Sequence, residues 1–356
     1  MKKIVTIVGA RPQFIKASVV SKAIQETDGL TEVLIHTGQH FDANMSDVFF
    51  EQLGIPRPDY QLNINSVNHG DMTGRMLIEI EKVLLKEQPD WVLVYGDTNS
   101  TLAGALAAAK LHIPVAHVEA GLRSFNMQMP EEINRILTDQ ISSVLFCPTD
   151  SAMANLKREG FDDKPIQVLQ VGDVMQDSAE FFAQKATQPQ GFELDDGFIL
   201  TTFHRAENTD NPERLAAIIT ALNHLHTNLA PVVLPLHPRT RKVIAAQGLK
   251  LDVHLIDPVG YLEMIWLLQR TGLVLTDSGG VQKEAFFMGK ACVTMRDQTE
   301  WIELVEVGAN ELVGADTNNI IEAAMHNLGR TVKDESRLYG GGKTSKEIAK
   351  RLNSLI

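Results

Sequence analysis

The stretch WVLVYGDTNSTLAGALAAAKL, residues 91–111, decides the fold class. Its first five residues are apolar without interruption, as in a parallel strand that is covered on both faces. A short polar turn follows, and then a run rich in alanine and leucine, Asn99–Leu111, which predicts a helix. A buried strand, a turn and a helix together form the repeating unit of a doubly wound α/β sheet.

The same unit recurs along the whole chain. Further apolar runs predict strands at Ile4–Val8, Thr31–His36, Val115–Glu119, Ser143–Cys147, Ile166–Val171, Phe198–Thr202, Val232–Leu236, Val253–Ile256, Leu273–Thr276 and Ala291–Thr294. We therefore predict two Rossmann-like domains, residues 1–172 and 173–345, facing each other across a central cleft. A last helix over residues 346–356 is expected to pack back on the first domain. Ligands of such sheets bind at the carboxyl ends of the strands.

Composition excludes several classes of partner. The 356 residues include 33 Lys and Arg against 45 Asp and Glu, a formal charge of −12, which disfavours binding to nucleic acid or to an anionic membrane. No apolar run is long enough to span a bilayer. The two cysteines, Cys147 and Cys292, lie in apolar runs and are expected to be buried thiols in a reducing cytoplasm.

Two turns are candidate anion sites. In Gly9-Ala10-Arg11-Pro12, the proline suits the first turn of a helix, whose free N–H groups attract a phosphate. Arg11 and Lys16 would add positive charge. An ordinary strand-to-helix turn explains this sequence equally well.

The second turn is Thr276-Asp277-Ser278-Gly279-Gly280. Ser278 is expected to cap the following helix, and the two glycines leave room for a ligand near the backbone. Glu284, less than two turns into that helix, is suited to accept two ribose hydroxyls, although a solvated helix glutamate is the alternative. Neither turn is a dinucleotide or Walker motif, and no cysteine has metal-ligand spacing. We therefore expect neither NAD, ATP nor a metal, and no other cofactor.

Acidic residues and one histidine follow predicted strands or open a helix. Asp97 and Glu119 each end a strand, Glu131 opens a helix, and His204 follows a strand in the second half. Structural roles compete: Asp97 is a possible helix cap, Glu131 a partner of Arg135, and His204 a core histidine. Carboxylates that converge in a dry site shift one another's pKa, which supplies both an acid and a base.

Together these motifs resemble one family over essentially the whole chain, the non-hydrolysing UDP-N-acetylglucosamine 2-epimerases. The matching segments, in order, are GARPQFIK (9–16), TGQH (37–40), YGDTNSTLAGALAA (95–108), HVEAGLRS (117–124), PEEINR (130–135), HRAEN (204–208), LHPR (236–239), TDSGGVQKEA (276–285) and MRDQTE (295–300). The resemblance implies a fold like that of B-type glycosyltransferases and a homodimer that binds a UDP-sugar.

The resemblance also implies roles for individual residues. The positions that match nucleotide-binding residues are Arg11, Lys16, Ser278, Gly279, Gly280 and Glu284. The positions that match the catalytic set are Asp97, Glu119, Glu131 and His204.

Two positions depart from the family pattern. Trp301 stands where the family commonly has an arginine, and Phe41 replaces the arginine of a Gln-His-Arg motif that is associated with an allosteric substrate site in some members. Both variants resemble the subgroup that acts on UDP-2,3-diacetamido-2,3-dideoxyglucuronate for O-antigen or capsule synthesis. A uronate carboxylate calls for a cation, for which Arg123, Arg205 and Arg239 are candidates. Plain UDP-N-acetylglucosamine, giving UDP-N-acetylmannosamine, is the alternative substrate.

The chemistry explains why several carboxylates are needed. The proton on carbon 2 of an amino sugar is barely acidic, but eliminating UDP across carbons 1 and 2 lets the leaving group take the electrons. The resulting 2-acetamidoglycal is re-protonated on its other face before UDP adds back, so two acid–base groups are required.

Two alternative functions differ from this reaction. A glycosyltransferase of the same fold would need an acceptor site. A non-catalytic nucleotide-sugar sensor would bind UDP without exchanging the proton at carbon 2.

Overall fold

The computed structural model describes residues 1–39, 50, 54, 56–65 and 68–355. The chain divides into two compact units. Unit 1 comprises residues 1–178 together with 337–356, and unit 2 comprises residues 179–336.

Unit 1 contains, among its described residues, one seven-stranded parallel sheet with the order β3-β2-β1-β4-β5-β6-β7. Its strands are β1 (Lys2–Val8), β2 (Leu30–His36), β3 (Tyr60–Gln61), β4 (Trp91–Tyr95), β5 (Val115–Val118), β6 (Val144–Cys147) and β7 (Gln167–Gln170). The strand order reverses between β1 and β4, which pair from Ile4 with Trp91 to Ile7 with Val94. In sheets of this kind the reversal opens a crevice at the carboxyl ends of the strands.

Helices cover this sheet: α1 (Arg11–Gln25), α2 (His69–Glu87), α3 (Asn99–Lys110), α4 (Pro130–Ile141), α5 (Asp150–Arg158), α6 (Val174–Ala183) and α14 (Thr344–Ser354). Helix α3 lies directly on the sheet because Gly104 has no side chain, and a Cβ there would come within 2.7 Å of Ile7 Cδ1. Buried Ile7, Val94, Met76 and Ile80 form the centre of this packing.

Unit 2 contains, within the described chain, a six-stranded parallel sheet with the order β10-β9-β8-β11-β12-β13. Its strands are β8 (Ile199–Thr202), β9 (Val232–Pro235), β10 (His254–Ile256), β11 (Leu273–Thr276), β12 (Cys292–Thr294) and β13 (Asn310–Leu312). Its helices are α7 (Ala206–Thr209), α8 (Pro212–Asn228), α9 (Pro238–Ala246), α10 (Tyr261–Arg270), α11 (Gly279–Phe287), α12 (Ile302–Glu306) and α13 (Thr317–Asn327). The order reverses between β8 and β11, where the hydroxyls of Thr202 and Thr276 are hydrogen-bonded at 2.7 Å.

The prediction of two doubly wound parallel sheets is confirmed. The strands missed by the sequence are β3 and β13, which lie at sheet edges. They are only two and three residues long and carry polar residues, so neither produces an apolar run.

The units do not divide at the residues expected from the sequence. The chain stays in unit 1 through Ser178, six residues beyond the expected boundary at 172, and returns to it at Arg337 rather than at 346. Hydrogen bonds explain the difference. Ser178 Oγ donates to Ile15 O at 3.1 Å, and the Asp177 carboxylate accepts from the Ser345 N–H at 2.8 Å and the Ser345 hydroxyl at 2.6 Å. Helix α14 packs against α1.

Both cysteines are buried free thiols. Burial raises the pKa of Cys292 to about 12 and also raises the pKa of Cys147. In the part of the chain that the structure describes, no helix has the length and apolarity needed to cross a membrane.

Candidate active site

A cavity of about 230 Å³ opens in unit 1 where β1, β4 and β5 end. It occupies the crevice beside the reversal of strand order. Among the residues lining it are four of the predicted site residues: Lys16, Asp97, Glu119 and Glu131. Arg11 begins α1, between the lining residues Ala10 and Pro12.

The turn after β4 presents Asp97 to this cavity. Gly96 adopts a left-handed backbone, with φ of +61°, which a glycine reaches without a steric penalty. Thr98 is the N-cap of α3, and its hydroxyl accepts from the Thr101 N–H at 3.3 Å. Asp97 is therefore not the helix cap that its position after the strand allowed.

The Asp97 carboxylate is instead bound by Arg135 from α4. Arg135 Nε donates to Asp97 Oδ2 at 3.1 Å, and a second guanidinium nitrogen contacts the same oxygen. Burial raises the pKa of Asp97, Arg135 lowers it in part, and the nearby Glu119 carboxylate raises it further. A carboxyl whose pKa is raised in this way keeps its proton to a higher pH than a solvated aspartate does, which suits an acid–base group.

Glu119 follows β5 in a left-handed conformation that is unfavourable for a residue with a side chain, with φ of +70°. Its N–H and that of Ala120 both donate to Phe146 O at 3.1 Å, which holds the turn. Its carboxylate forms an ion pair with Lys16 from α1. Burial lowers the pKa of Lys16, but the carboxylates of Glu119 and Asp173 raise it, and the net shift is upward, so Lys16 stays charged.

Glu131 lies in the first turn of α4, exposed and facing the cavity. The i,i+4 pair of Glu131 with Arg135, the competing structural explanation, is not among the ion pairs of the described residues. Arg135 contacts Asp97 and, at 2.9 Å, Glu132. Buried Glu132 in turn accepts from the backbone N–H groups of Ser124 and Phe125, both at 2.9 Å.

A chain of amides, missed by the sequence reasoning, connects this site to His69. Asn134 Nδ2 donates to the Asp97 carbonyl at 2.9 Å and to Asn99 Oδ1 at 3.2 Å. Asn99 Nδ2 therefore faces His69 Nδ1 as the donor, at 3.1 Å. The motif PEEINR contains Asn134, but nothing in the sequence marked His69.

Gln13 was also missed, and it connects the turns after β1 and β4. Its Oε1 accepts from the Gly9 and Ala10 N–H groups at 2.8 and 3.0 Å, and its Nε2 donates to the Tyr95 carbonyl at 2.7 Å. The two turns on either side of the crevice are thus fixed to each other.

Unit 2 has its own cavity, of about 410 Å³, and both His204 and Ser278 line it. The fully buried Asp277 carboxylate organises the loop after β8, accepting from the N–H groups of His204 and Arg205 and from the amide of Asn208 at 3.0–3.1 Å. The His204 side chain is 57% exposed, with Nδ1 3.6 Å from Asp277 Oδ1. Asp277 thus positions the predicted histidine.

The start of α11 differs from the expectation in one respect. Ser278 occupies the N-cap position, but its side chain makes no capping hydrogen bond. Trp301 Nε1–H donates to the Gly279 carbonyl at 2.9 Å, and Lys283 Nζ lies 4.0 Å from the centre of the indole ring. Trp301 therefore fixes the first turn of α11 where the family pattern has an arginine.

Two other predicted residues lie on the same helix. A Cβ on Gly280 would meet nothing within 4 Å, so the backbone there borders open space. Glu284 is buried in the second turn of α11.

Arg123, one of the three candidate cations for a uronate carboxylate, is already paired with two carboxylates of unit 1. Arg123 has a side chain only 1% exposed, and it lies 2.7 Å from Asp139. It also makes two hydrogen bonds to the Glu159 carboxylate, at 2.7 and 2.8 Å. Arg123 therefore acts inside unit 1, which leaves Arg205 and Arg239.

The family model for UDP-N-acetylglucosamine 2-epimerase matches residues 22–353. The chain belongs to the UDP-N-acetylglucosamine 2-epimerase family. The predicted family is confirmed. The predicted departure at Phe41, and His40 beside it, lie outside the described residues.

Two curated relatives illustrate the range of this epimerase family. UDP-2,3-diacetamido-2,3-dideoxy-D-glucuronate 2-epimerase of Pseudomonas aeruginosa is 70% identical to this chain over 353 residues, covering 99% of this chain and 100% of that protein. UDP-N-acetylglucosamine 2-epimerase of Escherichia coli K12 is 34% identical over 378 residues, covering 99% and 98%.

Solved structures of family members have the same fold. The UDP-GlcNAc 2-epimerase of Methanocaldococcus jannaschii, in complex with UDP-GlcNAc and UDP, is similar with a TM-score of 0.85 and 44% identity over 99% of each chain. The enzyme from Neisseria meningitidis bound to UDP-GlcNAc gives a TM-score of 0.85 at 34% identity, covering 98% of this chain and 99% of that one.

Proposed function

We propose that this protein inverts carbon 2 of a UDP-activated amino sugar by eliminating UDP and adding it back, with no cofactor. The observation that carries the proposal is the cavity of unit 1. There Asp97 and Glu119, each paired with a cation, line the crevice together with Glu131. Family membership supports the reaction class.

The carboxylates supply the proton transfers. Removing the proton from one face of carbon 2 and returning it to the other requires two groups in different protonation states. The pKa of Asp97 is raised, whereas Glu119 is paired with a charged Lys16, so the two side chains lie in different electrostatic environments. Glu131 is the third candidate.

The start of α11 is suited to bind the departing UDP. A helix N-terminus attracts phosphate, and the Ser278 side chain makes no capping bond that would compete for its N–H groups. We assign Ser278, Gly279 and Gly280 to the diphosphate and Glu284 to the ribose, and His204 to stabilising UDP as it leaves.

In unit 1, family resemblance assigns Arg11 and Lys16 to the nucleotide. A preorganised donor at such a position is typically worth about 3–4 kcal/mol of the barrier. The ion pair with Glu119 gives Lys16 a second role, because it fixes the position of that carboxylate in the cavity.

The favoured substrate is UDP-2,3-diacetamido-2,3-dideoxy-D-glucuronate, converted to its manno epimer for O-antigen or capsule synthesis. The name of the 70% identical relative and the indole of Trp301 support this choice. Because Arg123 is buried in ion pairs, Arg205 and Arg239 remain as partners for the uronate carboxylate. UDP-N-acetylglucosamine is the alternative substrate.

We further propose a cytoplasmic homodimer. Two buried free thiols fit a reducing compartment. Helix α3 packs between α2 and α4, and these two helices expose Ile78, Leu85, Ile133 and Leu137 between 40% and 57%. Apolar side chains exposed on neighbouring helices favour contact with a second copy. A dimer mass by light scattering supports this assignment, and a monomer contradicts it.

A competition assay tests the proposed reaction and substrate. EDTA-treated, dialysed protein is given both UDP-sugars at equal concentration, and initial rates are read by NMR. We expect epimerisation without added cofactor and a preference for the diacetamido uronate. A preference for UDP-N-acetylglucosamine contradicts the substrate, and a strict need for NAD or a divalent ion contradicts the mechanism. Turnover only with an added acceptor sugar would indicate a glycosyltransferase, and binding without turnover a sensor.

A further inference from the structure

A fully buried histidine lies beneath the two turns that carry Asp97 and Glu119. His117, on β5, has no exposed side-chain surface. Its Nε2 is 2.7 Å from the carbonyl oxygen of Gly96, and its Nδ1 is 2.7 Å from Oδ1 of Asp139 on α4. The resemblance to the family gave this residue no role.

The hydrogen-bond partners determine where its protons are. A backbone carbonyl only accepts, so Nε2 carries a hydrogen. Asp139 Oδ2 lies 2.7 Å from the Arg123 guanidinium and accepts from the Gly121 N–H at 3.2 Å, so this oxygen already has its partners. Asp139 Oδ1 and His117 Nδ1 share a single hydrogen between them, at 2.7 Å. His117 and Asp139 therefore form a buried hydrogen-bonded pair.

This pair contacts both of the turns that carry the acids. Through Nε2, His117 fixes the carbonyl of Gly96, the residue before Asp97. Through Asp139, it connects to the N–H of Gly121, two residues after Glu119. The two turns also touch, because a Cβ on Gly96 would lie 3.4 Å from Glu119 Oε2.

The turn after β5 needs such support because its backbone is unfavourable at Glu119, a residue with a side chain and a φ of +70°. A glutamate in this region persists only where its surroundings hold it there. A small displacement of either turn would move one carboxylate relative to the other.

We propose that the hydrogen-bonded pair of His117 and Asp139 positions the Asp97 and Glu119 carboxylates for proton transfer, an inference that rests on the proposed function. His117 is a positioning residue, since it acts through the two turns and not on the substrate. Besides Asp139 and Arg123, the titratable group near this pair is the Cys147 thiol on β6, whose pKa burial and Asp139 both raise, so it stays neutral.

The first test is direct and does not depend on activity. In protein labelled with ¹⁵N-histidine, NMR at pH 7.5 should show His117 Nε2 carrying a hydrogen, because the Gly96 carbonyl can only accept. The signal is assigned by its loss in His117→Gln. His36 is the internal reference: it is buried in the same sheet, and burial lowers its pKa to about 4, so its ring is neutral. A His117 ring without a hydrogen on Nε2 overturns the proposal.

The second test separates positioning from stability. We expect His117→Leu to lower kcat by roughly 10²-fold with KM nearly unchanged, as a misplaced catalytic group does. His117→Gln, which keeps a donor for Gly96, should recover part of the loss. His36→Leu removes another buried histidine and should leave kcat within a few-fold of the parent.

The outcomes are distinct. Equal kcat values for the parent and His117→Leu overturn the proposal, as does a change confined to KM. If the leucine variant does not fold, the ¹⁵N spectrum and the glutamine variant still decide it. A parent protein without epimerase activity overturns the proposed function instead, while the spectrum still shows whether His117 donates to the Gly96 carbonyl.

Discussion

Arg135 Nε lies 3.1 Å from Asp97 Oδ2, and the same guanidinium lies 2.9 Å from Glu132. Arg135 therefore connects Asp97, after β4, to Glu132, whose carboxylate accepts hydrogen bonds from the backbone of the loop before α4. Two effects shift the pKa of Asp97 in opposite directions, since burial raises it and Arg135 lowers it.

Removing the guanidinium should change the pH dependence of turnover. Without Arg135 the pKa of Asp97 rises further, so the ionised form that accepts a proton is reached only at higher pH. We expect Arg135→Met to move the acid limb of the kcat/KM profile to higher pH, with a larger loss at pH 6 than at pH 8. Arg75→Met is the matched control, because Arg75 pairs with Asp71 on the exposed face of α2. If the acid limb of the kcat/KM profile of Arg135→Met stays at the same pH as in the parent, Asp97 is not the group that titrates there.

Neutralising the proposed acids should abolish turnover without abolishing UDP binding. Asp97→Asn, Glu119→Gln and Glu131→Gln should each cost about 10²–10⁴-fold in kcat, the usual contribution of an acid–base group. UDP affinity, measured by calorimetry, should stay within a few-fold of the parent. Glu79→Gln, an exposed acid on α2, serves as the control. Three variants with nearly parental turnover would remove the catalytic assignment.

His204 should act on UDP departure more than on ground-state binding. Its side chain is mostly exposed in the unit 2 cavity, while its backbone is fixed by Asp277. We predict that His204→Ala slows formation of the glycal, followed by trapping, by more than it weakens UDP binding. His224→Ala, on the exposed surface of α8, controls for the loss of a histidine. An elimination rate equal to the parent's would make His204 a structural residue.

Glu32 provides a prediction about stability. Burial raises its pKa, although Thr6 Oγ1 donates to it at 2.5 Å. Because its folded-state pKa lies above the unfolded value of 4.5, the folded protein binds the extra proton, and stability falls as pH rises through the folded-state pKa. Glu32→Gln should be more stable than the parent at pH 8, and this advantage should disappear below pH 4.5.

Denaturant unfolding across pH measures this difference. Glu26→Gln, an exposed acid at the end of α1, should follow the parent at every pH. A parent and a Glu32→Gln variant whose stabilities stay parallel from pH 4 to pH 8 would mean that Glu32 is not destabilised by burial.

Sequence was sufficient for the fold and for the positions of the acids, because buried parallel strands are continuous apolar runs and their carboxyl ends are followed by polar residues. It was not sufficient to predict which side chains form ion pairs and hydrogen bonds with these acids. The local pattern offered Arg135 a partner one turn away, Glu131, as the structural alternative, but the tertiary fold places its guanidinium on Asp97. The hydrogen bonds that place His69 and His117 near the site join residues 21 to 30 positions apart, so no local sequence pattern could predict them.

Exchange of the carbon 2 proton tests the central claim most directly. The protein is incubated in deuterated water with UDP-2,3-diacetamido-2,3-dideoxy-D-glucuronate and no cofactor, and ¹H NMR follows carbon 2. The account predicts that the manno epimer forms with deuterium at carbon 2, because the proton leaves and returns from solvent-exchanged carboxylates. An epimer that retains its original proton, or no conversion of this UDP-sugar and none of UDP-N-acetylglucosamine in a parallel incubation, would contradict it.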